Sequence, residues 1–170
     1  MPINYRLYNT LAASIALALL VAGFYLEYTQ RLLPCSLCIL QRGVYIALVI
    51  VLFAAAIPHR AKAMTQVYGL LTLLIATAGI LLAARQVWLQ SLPKAPTEIC
   101  LPGFSYMVQH LPLTQALQLM LLGSDNCGLV SWRLEGWSIA AWSLLCFIGF
   151  ALQGLSQLWF AYTAKHSQQQ

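Results

Sequence analysis

Four long stretches of this chain carry no Asp, Glu, Lys or Arg: Leu7 to Leu26, Gly43 to Ile57, Ala63 to Ala84 and Gly136 to Ala164. A helix needs roughly 20 apolar residues to cross the hydrocarbon core of a bilayer, and only a helix or a closed barrel satisfies every backbone N–H and C=O there. The second stretch is short unless it reaches back across Arg42 to a Cys-x-x-Cys turn at Cys35 and Cys38, with Pro34 just ahead as a helix-start signal. Spans are therefore expected at about 7–26, 37–57, 64–84 and 137–162, with connections 27–36 and 85–136 on one side of the membrane. The expected fold class is all-α, an antiparallel four-helix transmembrane bundle forming a single membrane domain over 1–170.

Composition agrees: 61% of residues are hydrophobic and 8% charged, whereas a soluble domain has roughly 25% charged residues. The net charge of +5 does not point to nucleic acid, because the nine basic residues are scattered and none form a cluster interleaved with aromatics. It points to topology. Arg6, Arg60, Lys62 and Lys165 flank the spans without accompanying acids, so both termini and the 58–62 connection read as cytoplasmic. Glu27, Glu98, Asp125, Glu135 and four of the five cysteines share the opposite side, which in a bacterium is the oxidising periplasm. The localisation expected is thus multi-pass in a bacterial inner membrane. A cleaved leader is the competing reading of the first span; the apolar run is longer than a usual leader core and no small-residue cleavage site follows it.

Inside the long connection, Leu113, Ala116, Leu117, Met120 and Leu121 recur at helical spacing, with Thr114, Gln115 and Gln118 opposite. This predicts a short amphipathic helix that either packs over the bundle end or lies in the headgroup plane. Glycines within the spans (Gly23, Gly69, Gly79, Gly149) suit close helix packing.

The four cysteines outside the apolar runs, Cys35, Cys38, Cys100 and Cys127, admit three readings. They are structural disulfides, a four-thiolate metal site, or a redox relay. A bundle held by a bilayer needs staples less than a small secreted domain does. The Cys-x-x-Cys spacing suits zinc, but no second such pair and no nearby histidine completes a common zinc pattern. The redox reading gains from position: the N–H groups and positive dipole end at a helix start favour a thiolate. Arg42, one turn beyond Cys38, needs an anionic partner at a membrane position, such as a thiolate or a quinone carbonyl. Cys146, within the fourth span, reads as apolar filler.

Together the segments P-C-S-L-C-I-L-Q-R (Pro34 to Arg42), R-Q-V-W-L-Q-S-L-P (Arg85 to Pro93), Cys100, G-S-D-N-C (Gly123 to Cys127) and Trp132 resemble the bacterial disulfide bond formation protein B (DsbB) family over essentially the whole chain. Two cysteine pairs in separate connections, with an arginine four residues after the first, carry the resemblance. It implies a quinone-dependent thiol oxidase that reoxidises a periplasmic DsbA-type partner and delivers electrons to ubiquinone or menaquinone in the lipid bilayer. By resemblance, Cys35 pairs with Cys38 and Cys100 with Cys127. Cys100 receives the partner's thiolate, Cys127 passes the exchange to Cys35, and Cys38 becomes the thiolate facing the quinone. Arg42 and Gln86 are the positions expected to bind the cofactor, and no resident metal is implied. The segment Thr97 to Phe104, extended and broken by Pro and Gly, suits docking in the partner's groove.

Two positions depart from the family pattern. Many members carry a histidine where this chain has Gln86, and some carry an acid where it has Gln41. Both bear on quinone type and proton handling, and glutamine retains hydrogen-bonding capacity. The alternatives to this reading are a thiol oxidase serving a different, specialised partner and a four-cysteine metal-binding or structural membrane subunit.

Overall fold

A computed structural model describes residues 3–30, 35–57, 62–91, 111–122, 133–134 and 136–166. Its elements are helices α1 (Ile3–Gln30), α2 (Ser36–Ala56), α3 (Lys62–Ser91) and α4 (Leu113–Leu122), strands β1 (Arg133–Leu134) and β2 (Trp137–Ser138), and helix α5 (Ile139–His166). Helices α1, α2, α3 and α5 are each long and apolar enough to cross a bilayer. The protein is an all-α, antiparallel four-helix membrane bundle.

Apolar side chains such as Leu7, Ile50, Leu81 and Leu152 face outward, as helices dissolved in lipid allow. Tight packing is left to small residues and polar contacts. Ala12, Ala13 and Ala16 of α1 are buried, as are Ala76 and Ala83 of α3. The closest approach is between α3 and α5. A Cβ added at Gly154 would lie 2.8 Å from Leu73 N and 2.9 Å from Gly69 O, so at that crossing only hydrogen atoms fit between the backbones. About two turns along, Phe147 is fully buried, and its ring occupies the space that a side chain at Gly79 would need. Tyr45 of α2 stacks on Phe147 with centroids 4.5 Å apart and shares a 3.0 Å hydrogen bond with Ser143. This mid-bundle layer ties α2, α3 and α5 together, and Cys146 packs against it as apolar filler.

Element ends differ from the charge-free runs for local reasons. Helix α3 continues through Arg85 to Ser91, because no Gly or Pro interrupts the chain between Gly79 and Pro93. Charge marks where a chain leaves hydrocarbon, which is a separate matter from where its helix stops. At the other boundary, Gly136 adopts φ of 85° and closes the β1–β2 hairpin, with Leu134 opposite Trp137. Ser138 Oγ then accepts the Ala141 N–H at 3.3 Å and caps α5.

Helix α4 covers the expected amphipathic segment, with Met120 buried against Leu40 and Leu111 while Thr114, Gln115 and Gln118 face out. Arg85 Nε donates to Leu121 O at 2.7 Å, placing a cation on the C-terminal carbonyls of α4. The short helix thus sits over the α2 start and the α3 end.

Candidate active site

At the first turn of α2, Cys35 is the N-cap, with extended backbone (φ −72°, ψ 160°). Its sulfur accepts the Cys38 N–H at 3.3 Å, and its carbonyl accepts the Ile39 N–H at 3.1 Å. A cysteine here does the work of a capping serine, and the three-residue offset brings its sulfur to that of Cys38. The two Sγ atoms are 2.6 Å apart. Leu37, Leu40, Leu82 and Leu89 enclose the pair.

Helix α3 runs antiparallel to α2, so residues near its end meet residues near the start of α2. Leu82, Gln86 and Leu89 lie on one face, at offsets of four and three. Gln86 Nε2 donates to Cys38 Sγ at 3.2 Å and lies 3.5 Å from Cys35 Sγ. Gln41, one turn below Cys38, donates through Nε2 to Gln86 Oε1 at 2.7 Å. Both glutamines are 6% exposed. In such a place a short amide–amide bond is stronger than in water.

Arg42 is turned toward α1. It forms an ion pair with Glu27 and a long 3.5 Å hydrogen bond to Gly23 O, and its guanidinium lies over the Phe24 ring, 4.5 Å from the centroid. The anion it requires is therefore a carboxylate, where the sequence pointed to a thiolate or quinone oxygen. The side chain keeps 20% exposure.

Of the expected site residues, Cys35, Cys38 and Gln86 are in mutual contact and Arg42 stands beside them on the α1 side. Cys100 and Cys127, with the Thr97 to Phe104 segment, lie outside the described residues. Two participants were not singled out as site residues, Gln41 and Glu27. Glu27 had a visible signal, being the acid nearest the first span. Gln41 had none beyond its place beside Arg42. Among the described residues no group of three His, Cys, Asp or Glu is arranged to hold a metal.

The family profile described as disulfide bond formation protein DsbB matches residues 5–157. The chain belongs to the DsbB family. A disulfide bond formation protein B from Methylococcus capsulatus is 41% identical over 144 residues, covering 85% of this chain and 88% of the relative. One from Stutzerimonas stutzeri is 43% identical over 147 residues, covering 86% and 90%. Disulfide bond formation protein B 1 of Pseudomonas aeruginosa is 38% identical over 140 residues, covering 82% and 86%. No solved structure matches the chain. Membership of the DsbB family makes this a multi-pass membrane thiol oxidoreductase of disulfide bond formation, and the adjacent sulfurs at the head of α2 are chemistry of that kind.

Proposed function

We propose that the protein reoxidises a periplasmic DsbA-type thiol oxidase and delivers the two electrons to a membrane quinone, ubiquinone or menaquinone. It would do so from the bacterial inner membrane, with both termini in the cytoplasm. The observation that carries this reading is the placing of two neighbouring sulfurs, a buried amide and a guanidinium at one end of a lipid-embedded bundle. A soluble thiol partner has no need of sulfurs at a helix mouth in the bilayer. An acceptor dissolved in lipid does.

The residue roles follow the chemistry of thiolate exchange. The reduced partner's thiolate attacks Cys100 of a Cys100–Cys127 disulfide, giving a mixed disulfide and releasing Cys127 as a thiolate. Cys127 attacks Cys35 of a Cys35–Cys38 disulfide, forming a Cys127–Cys35 bond and expelling Cys38 as a thiolate. The partner's second thiolate would attack its own sulfur in the mixed disulfide, so that the partner leaves oxidised and Cys100 is expelled. Cys100 would attack Cys127, restoring the Cys100–Cys127 disulfide and expelling Cys35. The electron pair then resides on the Cys35–Cys38 dithiol, with Cys38 the thiolate that hands it on as their disulfide re-forms. A quinone supplies a two-electron acceptor confined to the bilayer. The Arg42 guanidinium suits its carbonyl oxygens, while the Gln86 amide is engaged with the sulfurs. Arg42 would steady negative charge as it develops at that end of the bundle, while Glu27 and Phe24 hold it in place.

Energetics favour such an acceptor. DsbA-type oxidases sit near about −120 mV, and each ~30 mV of shortfall in a two-electron couple costs ~1.4 kcal/mol. Anaerobic mixing of the purified protein with a reduced DsbA-type partner and a quinone tests the reading. Stoichiometric loss of quinone absorbance is expected. No quinone reduction, or zinc bound by the four cysteines, would overturn it.

A further inference from the structure

We infer that Gln86 is a catalytic residue, a neutral hydrogen-bond donor that stabilises Cys38 as a thiolate, and that Gln41 is the positioning residue that turns its amide toward the sulfur. The inference deepens the proposed function, resting on Cys38 being the sulfur that carries the electron pair.

A primary amide presents a donor at one end and an acceptor at the other, and the two are nearly alike in shape. Which end meets a neighbour is decided by partners. Gln41 Nε2 donates to Gln86 Oε1 at 2.7 Å, so the carbonyl of Gln86 faces Gln41 and its NH2 group faces the cysteines. That group has two hydrogens. The shorter contact, 3.2 Å, is to Cys38, and the longer, 3.5 Å, to Cys35.

Cys35 Sγ also accepts a backbone N–H at the helix start, that of Cys38. Cys38 Sγ receives the Gln86 side-chain amide at the shorter of its two sulfur contacts. Thiol exchange at Cys35 expels Cys38, and a sulfur that leaves more readily as an anion is expelled faster. The amide stands at the leaving group.

Two neutral glutamines have a further consequence. Neither titrates, so the support given to the Cys38 thiolate persists at any pH that leaves the fold intact. The charge nearby, Arg42, is already balanced by Glu27 on α1. Cys38 is thus stabilised by a dipole whose direction is set by a second dipole, both buried in the helix interface.

The test uses the full-length reduced protein with no partner and no quinone. Iodoacetamide alkylation of Cys38 is followed by peptide mass across pH. A hydrogen bond to a charged group is worth enough that Gln86→Leu should slow Cys38 alkylation at neutral pH by about tenfold. At alkaline pH, where every thiol is ionised, variant and parent should converge. Gln41→Leu should slow it less, since Gln86 is then free to turn either way. The double variant should be no slower than Gln86→Leu alone, because Gln41 acts only through Gln86.

Gln86→Met, of similar length and without a donor, serves if Gln86→Leu does not fold. Unchanged alkylation at neutral pH in the Gln86 variant that folds would overturn the inference. So would a change of equal size at every pH, which reports altered access, or a double variant slowed by the product of the single effects. Since no acceptor is present, this result and the quinone assay can fail independently.

Discussion

Two buried amide pairs hold the bundle at its opposite ends, and they do different things. Gln41 and Gln86 join α2 to α3 beside the cysteines, with an amide–amide distance of 2.7 Å. Asn9 and Gln157 join α1 to α5 near the termini, also at 2.7 Å. In the second pair Asn9 Nδ2 turns back to Tyr5 O at 3.0 Å, and around it stand Tyr8 with Ser156 and the Gly69–Gly154 crossing. Among the described residues no cysteine is hydrogen-bonded to it. In the first pair the Gln86 amide N–H groups meet two sulfurs. The same interhelical bond is glue at one end and part of a reactive centre at the other, and what separates them is the neighbour that the remaining donors reach.

The comparison breaks most visibly at the sulfurs. Cys38→Ser should abolish quinone reduction by a reduced DsbA-type partner; turnover at the parent rate would show that the cysteine end is not where electrons leave. Next in size, at the glue end, is Gly154→Ala. Its methyl group meets the α3 backbone, so a loss of about 2 kcal/mol in detergent unfolding is expected, with thiol chemistry retained in whatever fraction stays folded. Unaltered stability there would mean that the crossing is looser than the contacts indicate.

Smaller effects sharpen the contrast. Arg42→Leu removes a guanidinium and leaves Glu27 unpaired, and should lower turnover or raise the quinone KM by about tenfold, an effect of ~1.4 kcal/mol; parent-like kinetics at every quinone concentration would reduce Arg42 to an anchor between α1 and α2. Gln157→Leu orphans Asn9 Oδ1 and should cost about 1 kcal/mol of stability while leaving turnover per folded molecule unchanged. A loss of activity without a loss of stability in that variant would erase the distinction between the two ends. The smallest effect is expected from Cys146→Ala, about 1 kcal/mol or less of packing with activity intact.

Much of the bundle was legible in the chain. Four charge-free runs are a direct statement about solvent, because a charged group in hydrocarbon is expensive and its absence over a bilayer's thickness is seldom accidental. The Cys-x-x-Cys at a helix start was legible too, since capping and spacing are local. The α4 segment showed its helical period. Less legible was the end of α3 at Ser91, because the polar residues that mark a membrane boundary are themselves good helix formers.

Pairings across the bundle were not legible. Arg42 advertised its need for an anion, but four residues of helical offset made the Cys38 thiolate look nearest, whereas the rotation of α2 against α1 decided for Glu27. Gln41 and Gln86 are 45 residues apart, and as single letters each reads as an ordinary polar residue near a membrane edge. Likewise, Gly154 became indispensable only because Gly69 and Leu73 lie against it.

By itself the sequence determined the solvent, the number of spans, and the placing of reactive sulfurs where a helix begins, since burial of charge, hydrogen-bond saturation in lipid and helix capping act along one stretch of chain. Only the tertiary structure decided which amide faces which sulfur and which carboxylate holds the arginine. Those choices depend on how each helix is turned about its own axis against its neighbours, a quantity summed over many distant contacts and written in no single segment.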